Sequence, residues 1–489
     1  FSFTAGDLVV SVEGNGSNTA ATSSGNTGSD AGSYLDNQAA PLTLYQFSLN
    51  GTSSATQTGS LLLPQTSVAG GNYAVSGEYG SSSEGTLQLS GNGQYLTIMG
   101  YAVNAETYNS TQDLNGAGTA LAQSPNISTN TSTTQPNVAR VIALIGANGS
   151  VNSTTAISNV FNGNNPRSVY TQNGTSFYIS GQGTAGDDTG GVFYVSGLGA
   201  TTATPITGVD TSSSSNGSYN QDTRDVQIVN GQLTVSVDSS EGSKSHDIDG
   251  IGTLGSAGSP PTGTLNKQPT ILTGLGGTST GGAITLNGSN GNSINDTNGE
   301  SVYLSPDNYF YANSTTLYVA DTGDPKNGSK GAGTDAPGLG GLQKWSLVDG
   351  SWELDYTLSA GLNLISYYNS STKSLTSDGV SGLDGLTGEV VNGNVELFAT
   401  SYVLGDTDQT YLYGITDVLA DTQASQVTGE DFTTLAAAPA DSDFKGVAFA
   451  PVAPVPLPGA AGMFLGALAG LGVLARGRRG RRGLEPAAA

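Results

Sequence analysis

The residues best suited to chemistry in this chain are aspartates that fall in close pairs beside glycine. They are Asp187 and Asp188, Asp247 and Asp249 ahead of Gly250, Asp321 and Asp324 on either side of Gly323, and Asp406 and Asp408. Carboxylate oxygens on loops, with backbone carbonyls free beside them, suit Ca2+. Asp247, Asp249, Asp321 and Asp324 are the preferred calcium candidates, because each pair sets two carboxylates within one turn. No pair has the full spacing of a calcium loop. Aspartate also favours turns for a simpler reason, since its side chain bonds the nearby backbone. The only histidine is His246, and one histidine builds neither a catalytic triad nor a multi-histidine metal site within a single chain. Paired carboxylates would serve a glycosidase or a lyase, but among 39 acidic residues spacing alone singles out no pair. Trp345, Trp352 and Tyr356 would make either a sugar-stacking face or the packed interior of one sheet.

The elements that must position these residues are strands. Apolar residues recur with period two in Asp7–Val12, Leu42–Leu49, Gln94–Val103, Thr175–Gly181 and Gly191–Leu198. These runs are short, rich in β-branched and aromatic residues, and bounded by Gly, Asn and Ser. Asn173-Gly174, Asn230-Gly231 and Asn392-Gly393 fall where hairpin turns belong, because Asn-Gly readily takes positive φ. Before the C-terminal tail no segment shows a convincing helical period.

A repeat surrounds those turns. RSVYTQNGTSFYIS (Arg167–Ser180) aligns with RDVQIVNGQLTVSV (Arg224–Val237), and more loosely with Leu87–Gly100, Asn308–Asp321 and Leu386–Thr400. The turns lie roughly 55 to 85 residues apart, the length of a four-stranded unit with loops, which predicts an all-β propeller of about six to seven blades. The first copy is split between Asp7–Val12 and Phe444–Pro451, so pairing the terminal strands would close the ring and protect its edges. A β-sandwich array or a β-solenoid would use the same turn chemistry. The body is expected over 1–450, with flexible low-complexity loops near 14–33 and 254–298.

Composition narrows the classes. The net charge is −24 over 489 residues, and five of the 15 basic residues sit in the tail, so the body is more acidic still. Such a surface repels the nucleic-acid backbone. The chain has no cysteine, which removes disulfides, thiol nucleophiles and cysteine-bound metals. A large cysteine-free body suits a bacterial exterior, and the opening at Phe1 reads as a mature form whose export signal has been removed.

The C-terminus has three parts. Residues 451–458 are proline-stiffened and end in Val455-Pro456-Leu457-Pro458. Residues 459–475 carry no charge for about 17 residues, enough for a helix of about 25 Å, near the lower limit for crossing a membrane. Residues 476–489 open with Arg476, Arg478, Arg479, Arg481 and Arg482, which would hold the C-terminus in the cytoplasm and the body outside.

This order resembles the PEP-CTERM sorting signal, in which a proline-containing motif, an apolar helix and an arginine-rich end mark exported proteins for an exosortase. Leu457 stands where the eponymous motif has Glu. Thr316–Gly323, Gly341–Leu358, Gly382–Ser401 and Phe444–Val452 also look like PEP-CTERM propeller proteins, a likeness that implies no reaction. The resemblance implies an exosortase partner, transient anchoring in the inner membrane, and delivery to the cell surface or extracellular matrix. A non-enzymatic role in surface structure, adhesion or polysaccharide association is the expectation. The alternative is a secreted Ca2+-dependent hydrolase or polysaccharide lyase, which a central funnel lined with several carboxylates and a basic residue would favour.

Overall fold

The computed structural model describes residues 1–14, 38–79, 81, 83–113, 121, 124, 137–184, 187–207, 222–238, 248–278, 304–323, 340–364, 368–369, 374–375, 380–403 and 409–454. The chain divides into two compact units, Phe1–Val452 and Ala453–Ala489. The sorting motif, the apolar run and the arginines lie outside the described residues. Among the described residues no helix is long and apolar enough to cross a membrane.

The first unit is all-β and propeller-like. Its early strands are β1 (Leu8–Gly14), β2 (Ala39–Leu49), β3 (Ala55–Leu62), β4 (Ser76–Glu78), β5 (Gln88–Leu89), β6 (Tyr95–Tyr101), β7 (Arg140–Gly146) and β8 (Val151–Ile157). Two four-stranded sheets follow, β9 (Pro166–Tyr170) to β12 (Thr204–Pro205) through β10 (Phe177–Gly181) and β11 (Gly191–Val195), then β13 (Thr223–Val229), β14 (Gln232–Asp238), β15 (Ile248–Leu254) and β16 (Thr270–Thr278). A third holds β17 (Pro306–Asn313), β18 (Thr316–Asp321), β19 (Gly341–Val348) and β20 (Ser351–Leu358). After a small pair, β21 (Tyr368–Asn369) and β22 (Ser374–Leu375), a fourth holds β23 (Val380–Val391), β24 (Asn394–Val403), β25 (Tyr411–Val418) and β26 (Thr433–Ala437). The last strand, β27 (Ser442–Phe449), returns to the start of the chain.

The separate four-stranded sheets therefore number four among the described residues, not the six to seven blades that the repeat predicts. The remaining strands merge into one nine-stranded sheet, β27-β1-β2-β4-β6-β7-β8, with β3 on β2 and β5 on β6. The cause is the length of β2, eleven residues. Its first three residues, Ala39–Pro41, pair with β4, while the rest pairs with β1 and β3. Ser76 of β4 then bridges to Tyr101 of β6 and makes the ladder continuous.

Closure follows the expected route. β27 pairs antiparallel with β1, with Val447 opposite Val10 and Phe444 opposite Val12. Phe444 is buried and meets Phe47 edge-on at 6.1 Å and Tyr45 at 6.4 Å. Leu8, Val10, Val12, Phe47, Phe398 and Val447 complete that cluster, so the seam is apolar on one face. Burying each such side chain contributes roughly 1.5–3 kcal/mol. The five repeat segments all land on the first two strands of a ladder: β5/β6, β9/β10, β13/β14, β17/β18 and β23/β24. Asn230-Gly231 and Asn392-Gly393 both have positive φ at both positions, the mirror-image turn that matches strand twist. At Asn173-Gly174 only the glycine is positive, because Thr171 and Ser176 carry a wider loop there.

Two further expectations are corrected. The stretch 254–298 is not wholly a loop, since Thr270–Thr278 forms β16 and completes a sheet by pairing with β15. Its glycines and serines hid a strand that tertiary pairing supports. A nine-residue helix, α1 (Ala105–Asp113), precedes β7. Asn104 caps it by accepting the Thr107 N–H at 2.9 Å. Its polar sequence carries no apolar stripe, so periodicity could not find it.

Candidate functional site

Charged side chains collect on the first strand of each ladder. These strands touch in cyclic order, β27 to β5, β9, β13, β17, β23 and back to β27. Arg167 comes from β9, Arg224 from β13, Asp307 from β17, Asp384 from β23 and Lys445 from β27. Glu13 of β1 and Glu84, just before β5, join them. All seven are buried, none more than 4 % exposed.

Arg224 is the centre of the pairing. Its Nη1 lies 2.6 Å from Asp307 Oδ2, its Nη2 2.9 Å from Asp238 Oδ2, and its Nε 3.3 Å from Asp222 Oδ1. Burial alone would lower the proton affinity of this guanidinium, and the three carboxylates overcome that and hold it above its usual value. Arg167 Nη2 lies 2.9 Å from the same Asp222 Oδ1 and donates to Gln182 Oε1 at 3.2 Å. Sheets β9–β12, β13–β16 and β17–β20 are thereby tied by two guanidinium groups.

Burial raises the proton affinity of the acids across the hub. Burial raises Asp384 well above the carboxylate range, helped by Asp307 and opposed by Lys445, Arg224 and Arg167. Burial likewise raises Glu13, whose Oε2 lies 4.0 Å from Lys445 Nζ and whose carboxyl lodges against Gly77. A Cβ at Gly77 would stand 2.4 Å from Glu13 Oε1, so only glycine leaves room for that carboxyl. Burial pushes Glu84 up to about 7, against the Tyr101 hydroxyl that donates to it at 2.5 Å and the nearby Arg140. Asp225 is also pushed to about 7 by burial, although Gln88, Gln227 and Ser168 all donate to it.

The expected candidates land elsewhere. Asp321 ends β18 with both carboxylate oxygens accepting N–H donors: Ser305 N at 3.1 Å, Gly323 N at 2.8 Å and Gln343 Nε2 at 2.9 Å. That is the work of a turn-forming aspartate. Burial pushes it up to about 7. Asp249 lies on β15 opposite Asp238, and nothing is described of its side chain. Asp247, Asp324, Asp406, Asp408 and His246 lie outside the described residues. Asp187 accepts from Thr189 in its own loop and from Asn162 in the connection between β8 and β9. Among the described residues no group of three or more metal-ligating side chains is placed to hold an ion. Trp345, Trp352 and Tyr356 are buried, so they pack the sheets and offer no sugar-stacking face.

The hub was legible in part. In the aligned repeat, Arg167 and Arg224 occupy the same place near the start of a strand. A charge at a fixed position of a buried strand is a signal of inward pairing, but it does not name the partner.

Comparison with known proteins adds little. No family model and no curated protein matches the chain. Among solved structures, an endo-arabinase from Bacteroides thetaiotaomicron is similar over 53 % of this chain and 75 % of its own, at 13 % identity and a TM-score of 0.27. A putative oxidoreductase (glucose dehydrogenase) from Thermus thermophilus is similar over 82 % of this chain and 93 % of its own, at 11 % identity and a TM-score of 0.32. Likeness at this level carries no argument about activity.

Proposed function

We propose that this chain is an exported cell-surface or extracellular-matrix protein with a non-enzymatic role in surface structure, adhesion or polysaccharide association. The observation that supports this reading is the burial of the hub. A catalytic centre must admit its substrate, whereas Arg167, Arg224, Asp307, Asp384, Lys445, Glu13 and Glu84 are sealed among their own sheets. Their charges serve sheet-to-sheet pairing.

The proposed route to the surface uses the tail. Val455–Pro458 would be the motif read by an exosortase, 459–475 the transient membrane anchor, and Arg476–Arg482 the cytoplasmic stop. The test is expression in cells with and without an exosortase, with mass spectrometry of the extracellular protein. The expected product lacks Arg476–Arg482, and deletion of Val455–Pro458 keeps the full chain in the membrane. An extracellular form with an intact C-terminus would overturn the sorting proposal.

A second reading, the secreted Ca2+-dependent hydrolase or polysaccharide lyase, rests on one feature of the same hub. Burial raises Asp384 above the usual carboxylate range and Glu84 to about 7, against the opposing charge of Arg167, and a raised carboxyl is what acid catalysis would use if the hub opened to substrate. Asp384→Asn and Glu84→Gln would then abolish release of reducing ends or unsaturated ends from an acidic polysaccharide.

A further inference from the structure

Lys344 of β19 and Asp417 of β25 belong to two different sheets, yet their buried side chains meet between them. Both are 0 % exposed, and Lys344 Nζ lies 2.7 Å from Asp417 Oδ2. Two tyrosines flank the pair. The ring centroids of Tyr318 and Tyr356 lie 5.6 and 5.3 Å from Nζ. Their hydroxyls donate to the carboxylate, Tyr318 to Oδ2 and Tyr356 to Oδ1, the latter at 2.7 Å. Nζ itself also contacts Val418 O at 2.7 Å and the Tyr356 hydroxyl at 2.9 Å.

A third ionisable group completes the set. Glu430 places its carboxyl against that of Asp417 and against the Val418 backbone, and its buried Oε2 receives no hydrogen bond from any other group among the described residues. Burial, then the contact with Asp417, pushes Glu430 up to about 7, which suits it to pass a proton to and from its neighbour.

A fully buried ion pair is expensive in a low dielectric, so a reaction that replaces both charges with a neutral amide removes that cost. An Nζ that has given up one proton would keep N–H bonds to Val418 O and the Tyr356 hydroxyl and turn its lone pair toward Asp417. Amine and carboxyl held in contact without water react at effective concentrations far above any attainable in solution.

We propose that Lys344 and Asp417 condense into an intramolecular isopeptide bond, with Glu430 as the proton-transfer residue. Nζ attacks Asp417 Cγ to form an N–C bond. The tyrosine hydroxyls hold the developing oxyanion. Glu430 gives its proton to the departing oxygen, the C–O bond breaks, and the proton lost by Nζ restores Glu430. One water leaves for each amide formed, with no change of oxidation state and no cofactor. The bond ties the β17–β20 sheet to the β23–β26 sheet. In a chain without cysteine it supplies the covalent staple that a disulfide would otherwise provide.

The experiment is intact-mass and peptide-map spectrometry of the purified full-length chain. The expected result is a mass short by one water, about 18 Da, and a branched peptide that joins the segments carrying Lys344 and Asp417. Lys344→Met and Asp417→Ala should each restore the full mass. Glu430→Gln keeps both reacting groups and should leave them in separate peptides. Recovery of Lys344 and Asp417 in separate, unmodified peptides from the unsubstituted chain overturns the proposal, whatever the variants do. So does a water loss that maps only to an Asp-Gly succinimide at Asp249, Asp349, Asp378 or Asp384. A Glu430→Gln chain that forms the bond as fast as the unsubstituted one removes Glu430 from the reaction.

Discussion

Arg167 and Asp222 meet at 2.9 Å across the seam between β9 and the entry to β13, and both are buried. The same Asp222 also faces Arg224, so one carboxylate is shared between two guanidinium groups. Arg167→Met should therefore leave Asp222 only partly compensated, and Arg224→Met should remove the guanidinium that faces Asp307, Asp238 and Asp222 together. Breaking a buried pair from one side costs about 3–5 kcal/mol, and the Arg224 variant should be the worse of the two. Urea denaturation of both variants and of Asp222→Asn measures this. Equal and negligible losses would mean that the hub is not a structural lock.

The seam between β1 and β27 should govern the whole body. Phe444→Ala removes a buried ring packed against Phe47 and Tyr45, at a cost of about 3–5 kcal/mol. Deleting Phe444–Ala450 should do more, because it also exposes the unpaired edge of β1. A single cooperative loss of all β-structure by circular dichroism is the expected outcome. Loss confined to local signals would show that closure does not couple the sheets.

The body should be less stable at neutral than at mildly acidic pH as far as three buried acids are concerned. Glu84, Asp225 and Asp321 each have a folded proton affinity near pH 7, above that of the unfolded chain. A raised folded value means that the native state binds more protons than the unfolded one between about pH 4 and 7. Their contribution is thus fully present below about pH 4 and is lost as pH rises through 7. Glu84→Gln keeps the contact to the Tyr101 hydroxyl but cannot ionise. Its melting temperature should gain on that of the unsubstituted chain as pH rises from 5 to about 7.5, by the equivalent of a few kcal/mol at most. A pH-independent difference between the two would contradict the assignment.

Much of the architecture lay in local sequence. Period-two runs and Asn-Gly turns placed the strand pairs β9/β10, β13/β14 and β23/β24, because side-chain alternation and positive φ are properties of a few consecutive residues. The pairing of Phe444–Ala450 with Asp7–Val12 was legible too, since a split repeat leaves each terminus with half a unit. What tertiary structure alone decided was partnership at a distance. The length of β2 could be counted in the sequence, but its double pairing, which merges two ladders, needs the position of β4. The glycine-rich β16 is a strand only because β15 offers it an edge. Asp321 looks like a metal ligand in sequence and is a turn former in space, because three N–H donors converge on it. Lys344 and Asp417 carry no local mark of each other, since the low-dielectric setting that makes their contact consequential is built from Tyr318 and Tyr356 on other strands.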